Sequence, residues 1–157
     1  MAKAGAPAAA VAFARRIGNQ GYLREFRSTG VVDIASAEYP YRANENAVCF
    51  LVNGQPPMID VDDASLISKA DLMFNRVYAG LVKAYPNLAI FPGRRSGETA
   101  VKTAALKSGG QQFRVDYSLL DGCHACAPVG ALRMAYDFDV TGRYVGARVS
   151  AVRAINP

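Results

Sequence analysis

Residues 130–139 read Gly-Ala-Leu-Arg-Met-Ala-Tyr-Asp-Phe-Asp, and this alternating stretch decides the fold. Its large apolar side chains stand at every second position, and small or charged residues fill the positions between them. That alternation is typical of a strand with one buried face and one face toward water. A turn at 139–142 then leads into a second apolar segment at 143–152, which predicts an antiparallel hairpin.

Further strands and one helix are predicted upstream of this hairpin. Residues 112–119 indicate another strand of the same sheet, and residues 88–91 a short apolar one. Between residues 66 and 85, apolar side chains recur at steps of three and four, which predicts one long amphipathic helix. Asp62 or Asp63 can cap the start of this helix, and Pro86 ends it. The apolar stripe consists of Leu66, Ile67, Ala70, Met73, Phe74, Val77, Tyr78, Leu81, Val82 and Tyr85.

The N-terminal part predicts a short helix followed by two strands. An alanine-rich segment at 7–17 ends at Gly18, a helix-stop residue, and apolar runs at 31–34 and 48–52 are separated by turn residues. The expected fold class is therefore α+β: an antiparallel β-meander with one long amphipathic helix packed on it in two layers, plus a short N-terminal helix. We expect a single domain over residues 1–157, with residues 1–10 as a flexible start.

Composition narrows the class of protein. Apolar residues make up 51% of the 157 residues and charged residues 20%, which excludes a disordered chain. No apolar run approaches the roughly 18 residues that would suggest a membrane span. The formal charge is +5, but the arginines are dispersed along the chain and not concentrated on one element with aromatic side chains, which argues against nucleic acid as a partner.

The beginning of the chain bears on its location. Residues 1–10, MAKAGAPAAA, lack the apolar stretch of an intact signal peptide but look like the start of a mature exported chain after cleavage. Cysteines that can pair favour an oxidising compartment. We therefore expect a periplasmic or secreted protein.

Reactive side chains are concentrated in the stretch Asp121-Gly122-Cys123-His124-Ala125-Cys126, which holds two of the three cysteines and the single histidine. It lies between two predicted strands, so it forms the exposed tip of a hairpin connection. Two cysteines at this spacing can close a small disulfide ring, act as a redox pair or ligate a metal.

The neighbouring residues argue against some of the chemistries that the cysteine pair could support. Cys123 and His124 are adjacent and cannot easily face one tetrahedral ion, and no second cysteine pair completes a zinc site, so we expect no metal. Covalent haem attachment needs a histidine directly after the second cysteine, where Ala127 stands, so we expect no cofactor. No base partner for a cysteine nucleophile is identifiable, so we do not expect an enzyme. Cys49 lies within an apolar run and is predicted to be a buried small hydrophobe.

The order of features from residue 66 to residue 152 resembles the Ivy-type periplasmic inhibitors of C-type lysozyme: helix, short strand, glycine-containing loop, strand, cysteine-histidine-cysteine loop and strand hairpin. In that family a disulfide closes the loop, and its histidine enters the active-site cleft of the lysozyme. The resemblance implies a Cys123–Cys126 bridge with His124 as the inserted residue.

The sequence therefore predicts an exported, non-enzymatic binding protein. Its contact residues for a partner protein, a lysozyme or another envelope protein, would be Asp121, Gly122, His124 and Ala125. The alternative is an envelope thiol-disulfide protein that uses the cysteine pair. A second surface for binding is suggested by Tyr39, Tyr41 and Arg42, which are residue types favoured at interface hot spots.

Overall fold

The structure is a computed structural model that describes residues 5–43, 46–93 and 101–155. These residues form two antiparallel sheets and a few short helices, so antiparallel strands dominate an α+β fold. The first part of the chain contains α1 (Ala8–Ile17), β1 (Tyr22–Arg27), β2 (Asp33–Glu38), β3 (Ala47–Val52) and β4 (Met58–Asp60). The second part contains α2 (Lys69–Leu72), α3 (Arg76–Ala84), β5 (Leu88–Pro92), β6 (Val101–Ala105), β7 (Gln111–Asp121), β8 (Pro128–Phe138) and β9 (Tyr144–Ala154). A flexible start was expected over residues 1–10; residues 1–4 lie outside the described ranges, and α1 begins at Ala8.

The second sheet confirms the strands predicted around residues 130–139. Its strand order is β5-β7-β8-β9, and β6 also pairs with β7. The alternating residues of β8 face the core, each at most 4% exposed: Leu132, Met134, Tyr136 and Phe138. Strands β8 and β9 form the expected antiparallel hairpin.

The first sheet is larger than the two predicted strands. Its strands lie in chain order, β1-β2-β3-β4, and Ile34 of β2 stands opposite Leu51 of β3. Strand β1 was not predicted because Arg24, Glu25 and Arg27 interrupt any apolar run. An edge strand needs little burial, so its sequence signal is weak.

The two sheets pack face to face around one apolar cluster, and α1 covers the opposite face of the first sheet. Phe13 of α1 rests on Phe50 of β3, with ring centroids 5.5 Å apart. The described residues thus form three layers, helix on sheet on sheet, where two were expected. The shared cluster includes Ile34, Cys49, Leu51 and Ile59 from the first sheet and Phe113, Val115, Tyr117 and Leu119 from the second.

The prediction of one long amphipathic helix is wrong. Residues 64–85 form a 3₁₀ turn at Ala64–Leu66, then α2, then α3. Two polar side chains inside the apolar stripe restart the helix: the Ser68 hydroxyl accepts from the backbone N–H of Asp71, and the Asn75 side chain accepts from those of Val77 and Tyr78. Each is an N-cap residue type that competes with helix continuation. The predicted cap at Asp63 and the end before Pro86 are both observed, although Asp63 caps the 3₁₀ turn.

The half-buried side chain of Gln111 connects the two sheets. The backbone N–H of Val32 donates to Gln111 Oε1 at 2.8 Å, and Gln111 Nε2 donates to the carbonyls of Thr29 and Val32 at 3.1 and 3.0 Å. Gly30 passes directly beneath this amide with φ +147°, and a Cβ there would lie 2.8 Å from Gln111 Nε2. The glycine is therefore required both by its backbone conformation and by the close approach.

A pair of tyrosines makes a second connection between the two sheets. The Tyr117 hydroxyl donates to the carbonyl of Val61 at 2.6 Å and lies 2.6 Å from the hydroxyl of Tyr136. Burial raises the pKa of both side chains, that of Tyr136 to about 12. Both hydroxyls therefore stay protonated at neutral pH. Their polar groups are thus satisfied inside the core.

Candidate functional site

The cysteine stretch connects the ends of two long, well-buried strands. Asp121 is the last residue of β7 and Pro128 the first of β8. Close to the connection, Leu119 stands opposite Gly130 and Leu120 opposite Pro128, which leaves Val129 as a bulge. Bulges bend a strand locally, so this one redirects the chain as it leaves the loop.

Cys123 and Cys126 form a disulfide, with their Cα atoms 5.1 Å apart. The backbone N–H of Cys126 also donates to the carbonyl of Cys123 at 3.0 Å, so a tight turn and a covalent bridge close the same four residues. Gly122 enters this turn with φ +87° and passes close to Asn87. Left-handed backbone favours glycine at that position. The predicted disulfide is confirmed.

His124 is held by an aromatic neighbour from another strand. Its ring meets the ring of Phe91 edge to face, with centroids 5.3 Å apart and an interplanar angle of 83°. Phe91 stands opposite Ser118 on the face of the second sheet that points away from the core, while its neighbour Ile90 points inward. The loop therefore bends over the outer face of this sheet, and the histidine is fixed beside it.

The structure brings all the predicted contact residues together at one end of the second sheet. Asp121, Gly122, His124 and Ala125 are exposed, as is Cys123, whereas Cys126 is half-buried. The loop thus offers its side chains and backbone to the surroundings while the sheet beneath stays packed.

A polar surface continues from the loop across the outer face of the sheet. Arg133 forms two hydrogen bonds to Asp116, at 2.6 and 3.0 Å, and this carboxylate raises the pKa of the guanidinium. A shallow open depression of about 190 Å³ lies next to this pair and is lined also by Ser118, Ala131 and Arg153. The alternation in β8 predicted one face toward water, but the pairing of Arg133 with Asp116 depends on the register between β7 and β8.

Metal binding and redox chemistry would place further demands on the surroundings of the cysteine stretch. The described residues contain no group of three metal-ligating side chains. Cys123 lies between β7 and β8 and not at the first turn of a helix, the position at which a helix N-terminus stabilises a thiolate. Cys49 is 1% exposed within β3, as predicted for a small hydrophobe.

The alternative surface at Tyr39, Tyr41 and Arg42 is only partly available. Tyr39 is buried against α1, and Arg42 lies over its ring at 4.1 Å. Tyr41 is 91% exposed, and Arg42 is exposed as well. The prediction that all three side chains are exposed is therefore wrong for Tyr39.

No family model, curated protein or solved structure matches this chain. Among the described residues, no helix combines the length and apolar character needed to cross a membrane. What the fold and site define is a class: a β-rich α+β protein that carries an exposed, disulfide-closed loop at one end of a sheet.

Proposed function

We propose that this chain is an exported, non-enzymatic binding protein that presents residues 121–126 to a partner protein, with C-type lysozyme as the first partner to test. The observation that carries the proposal is the exposed loop, in which a disulfide and a ring contact to Phe91 hold His124 in one orientation. Rigid loops bind well because little conformational freedom is lost on association.

The architecture of the loop favours recognition over stability. A disulfide that closes so few residues restricts the unfolded chain much less than a long-range bridge does, so its main effect is local stiffening. Strands β7 and β8 anchor both ends of the loop in the core. The partner therefore meets a preformed surface of His124, Ala125 and the neighbouring backbone.

The resemblance to the Ivy-type inhibitors is the reason to test C-type lysozyme as the partner. In this proposal His124 enters the substrate cleft of a lysozyme, and the polar outer face around Arg133 and Asp116 contacts the rim. The chain carries a formal charge of +5, so approach to a basic lysozyme is opposed by like charges. Added salt is then expected to speed association, the reverse of a charge-steered complex.

The test is inhibition of cell-wall lysis by C-type lysozyme, together with direct measurement of Kd by calorimetry. The variant His124→Ala is expected to weaken binding by more than about fivefold, the loss typical of an interface residue that matters. Its matched control is Val140→Ala, because Val140 is 58% exposed in the β8–β9 turn at the opposite end of β8. The control is expected to bind like the parent chain.

Two results separate the parts of this proposal. If His124→Ala binds lysozyme as tightly as the parent chain, the role of the loop is refuted. If the parent chain neither binds nor inhibits lysozyme, that partner is wrong, and capture from envelope extract with the parent chain and His124→Ala side by side then tests the loop alone.

A further inference from the structure

An apolar surface that the sequence assigns to the core is exposed at the corner between α2 and α3. Phe74 is 88% exposed, and Leu66, Met73 and Val77 are between 41% and 50% exposed. We call these four residues the corner surface. Isolated exposed apolar side chains are common, but here three lie within the five residues 73–77 and Leu66 precedes them by one short helix, and such a concentration is typical of an interaction site.

The two short helices explain why this surface faces outward. Leu72, at the end of α2, and Tyr78, in the first turn of α3, are both buried and anchor the segment to the core. Between them Asn75 caps α3, so the chain turns and Met73 and Phe74 stand on the outside of the bend. Phe74 therefore projects from the corner.

Positive charge flanks the corner surface on its α3 side. The charged side chains of α3 are Arg76 and Lys83, both exposed and cationic, whereas α2 carries one of each sign, Lys69 and Asp71, and three aspartates precede Leu66: Asp60, Asp62 and Asp63. Arg76 and Lys83 are two turns apart on the face of α3 opposite the buried Tyr78 and Leu81, with Gly80 between them. The exposed side of α3 is therefore cationic and nearly flat.

We propose that the corner surface docks onto an anionic lipid surface, with Met73 and Phe74 inserted at the level of the headgroups. A projecting aromatic side chain enters a fluid apolar layer without needing a complementary pocket, whereas a protein partner would have to supply one. The cationic residues beside it match acidic headgroups. This inference is independent of the proposed function, because it uses neither the cysteine loop nor the outer face of the second sheet.

The test uses a single tryptophan as reporter. The chain has no tryptophan, so Phe74→Trp places one indole at the corner, and Tyr41→Trp places one at an equally exposed site between β2 and β3. Phosphatidylcholine vesicles with phosphatidylglycerol are expected to shift the emission of Phe74→Trp to shorter wavelength. Pure phosphatidylcholine vesicles are expected to leave it unchanged, and the emission of Tyr41→Trp is expected to stay unchanged with both.

Vesicle flotation measures the energetic contribution of each part. Phe74→Asp is expected to lower the partition coefficient about 10- to 100-fold, from the loss of one buried phenyl group. Lys83→Glu is expected to lower it by at least about fivefold, while Lys107→Glu, a charge reversal on the β6–β7 connection, has a smaller effect. Both positions are exposed, and a cooperative melt of each variant checks that the fold is intact.

Several results would overturn the inference: no emission shift for Phe74→Trp, an equal shift for Tyr41→Trp, or equal binding to neutral and anionic vesicles. A soluble protein that shifts the Phe74→Trp emission in the absence of lipid, while vesicles do not, would assign the corner surface to a protein partner instead.

Discussion

Replacing Gln111 by alanine is expected to destabilise the whole fold, because this side chain joins the two sheets. The backbone of Val32 is fully buried, and its N–H has Gln111 Oε1 as its acceptor at 2.8 Å. Truncation leaves that donor without an acceptor. The carbonyl of Val32 keeps a second donor, the Thr29 hydroxyl at 2.7 Å. One buried orphan N–H costs about 1–3 kcal/mol.

This cost is large enough to measure in a chain of 157 residues. It corresponds to a drop in Tm of about 2–12 °C, and in urea the midpoint should fall with the slope unchanged. The matched control is Gln20→Ala, since Gln20 is exposed after α1, and it should stay within about 0.5 kcal/mol of the parent chain.

The variant Gln111→Glu tests the direction of the hydrogen bonds. A carboxylate still accepts from Val32 but repels the carbonyls of Thr29 and Val32, to which the amide donates. The folded state then favours the protonated acid, so the stability deficit of this variant should be full at neutral pH and shrink as pH falls. A Gln111→Ala chain that unfolds within about 0.5 kcal/mol of the parent would refute the role of this side chain in joining the sheets.

Two further predictions concern the cysteines and one aspartate. Without reductant, the native protein should resist alkylation, since Cys49 is buried and the other two cysteines are paired; with reductant, intact mass should show two modified cysteines, and a third only after unfolding. A native chain that takes up label without reductant contradicts this. The Thr141 hydroxyl and the backbone N–H of Arg143 hold the pKa of Asp139 down at about 2 from its ordinary 3.8, so its stabilising effect is full above about pH 4 and is lost as pH falls toward 2. Thr141→Val should move this pKa, followed by NMR, back toward 3.8, and an unchanged value would contradict the assignment.

The sequence predicts the loop of the candidate site, but it does not predict which residues surround that loop. A hairpin connection with two cysteines and one histidine predicted an exposed loop, and the disulfide between Cys123 and Cys126 is present. The contact between His124 and Phe91 joins residues 33 positions apart and depends on β5 lying beside β7. No local pattern encodes which strand is the neighbour.

Residues 66–85 show that apolar side chains at helical spacing do not guarantee one continuous helix. The apolar spacing is helical throughout, yet Ser68 and Asn75 cap new helices within this segment. The pattern predicts a cap at Asp63 but not at these two positions, because polar residues inside an amphipathic pattern are usually solvent-facing side chains. As a result, Phe74, which the spacing places on the buried face, is 88% exposed.

The sequence by itself determined the local features: the alternation of 130–139, the hairpin that follows it, the short N-terminal helix and the pairing chemistry of the cysteine loop. These depend on spacings of a few residues, where backbone geometry alone relates side chains to one another. The tertiary structure alone decided that the first sheet packs face to face on the second and that Gln111 holds Val32 from 79 residues away. It also decided that Phe74 projects outward, because burial is a property of the partner surface and not of the spacing that an apolar residue occupies.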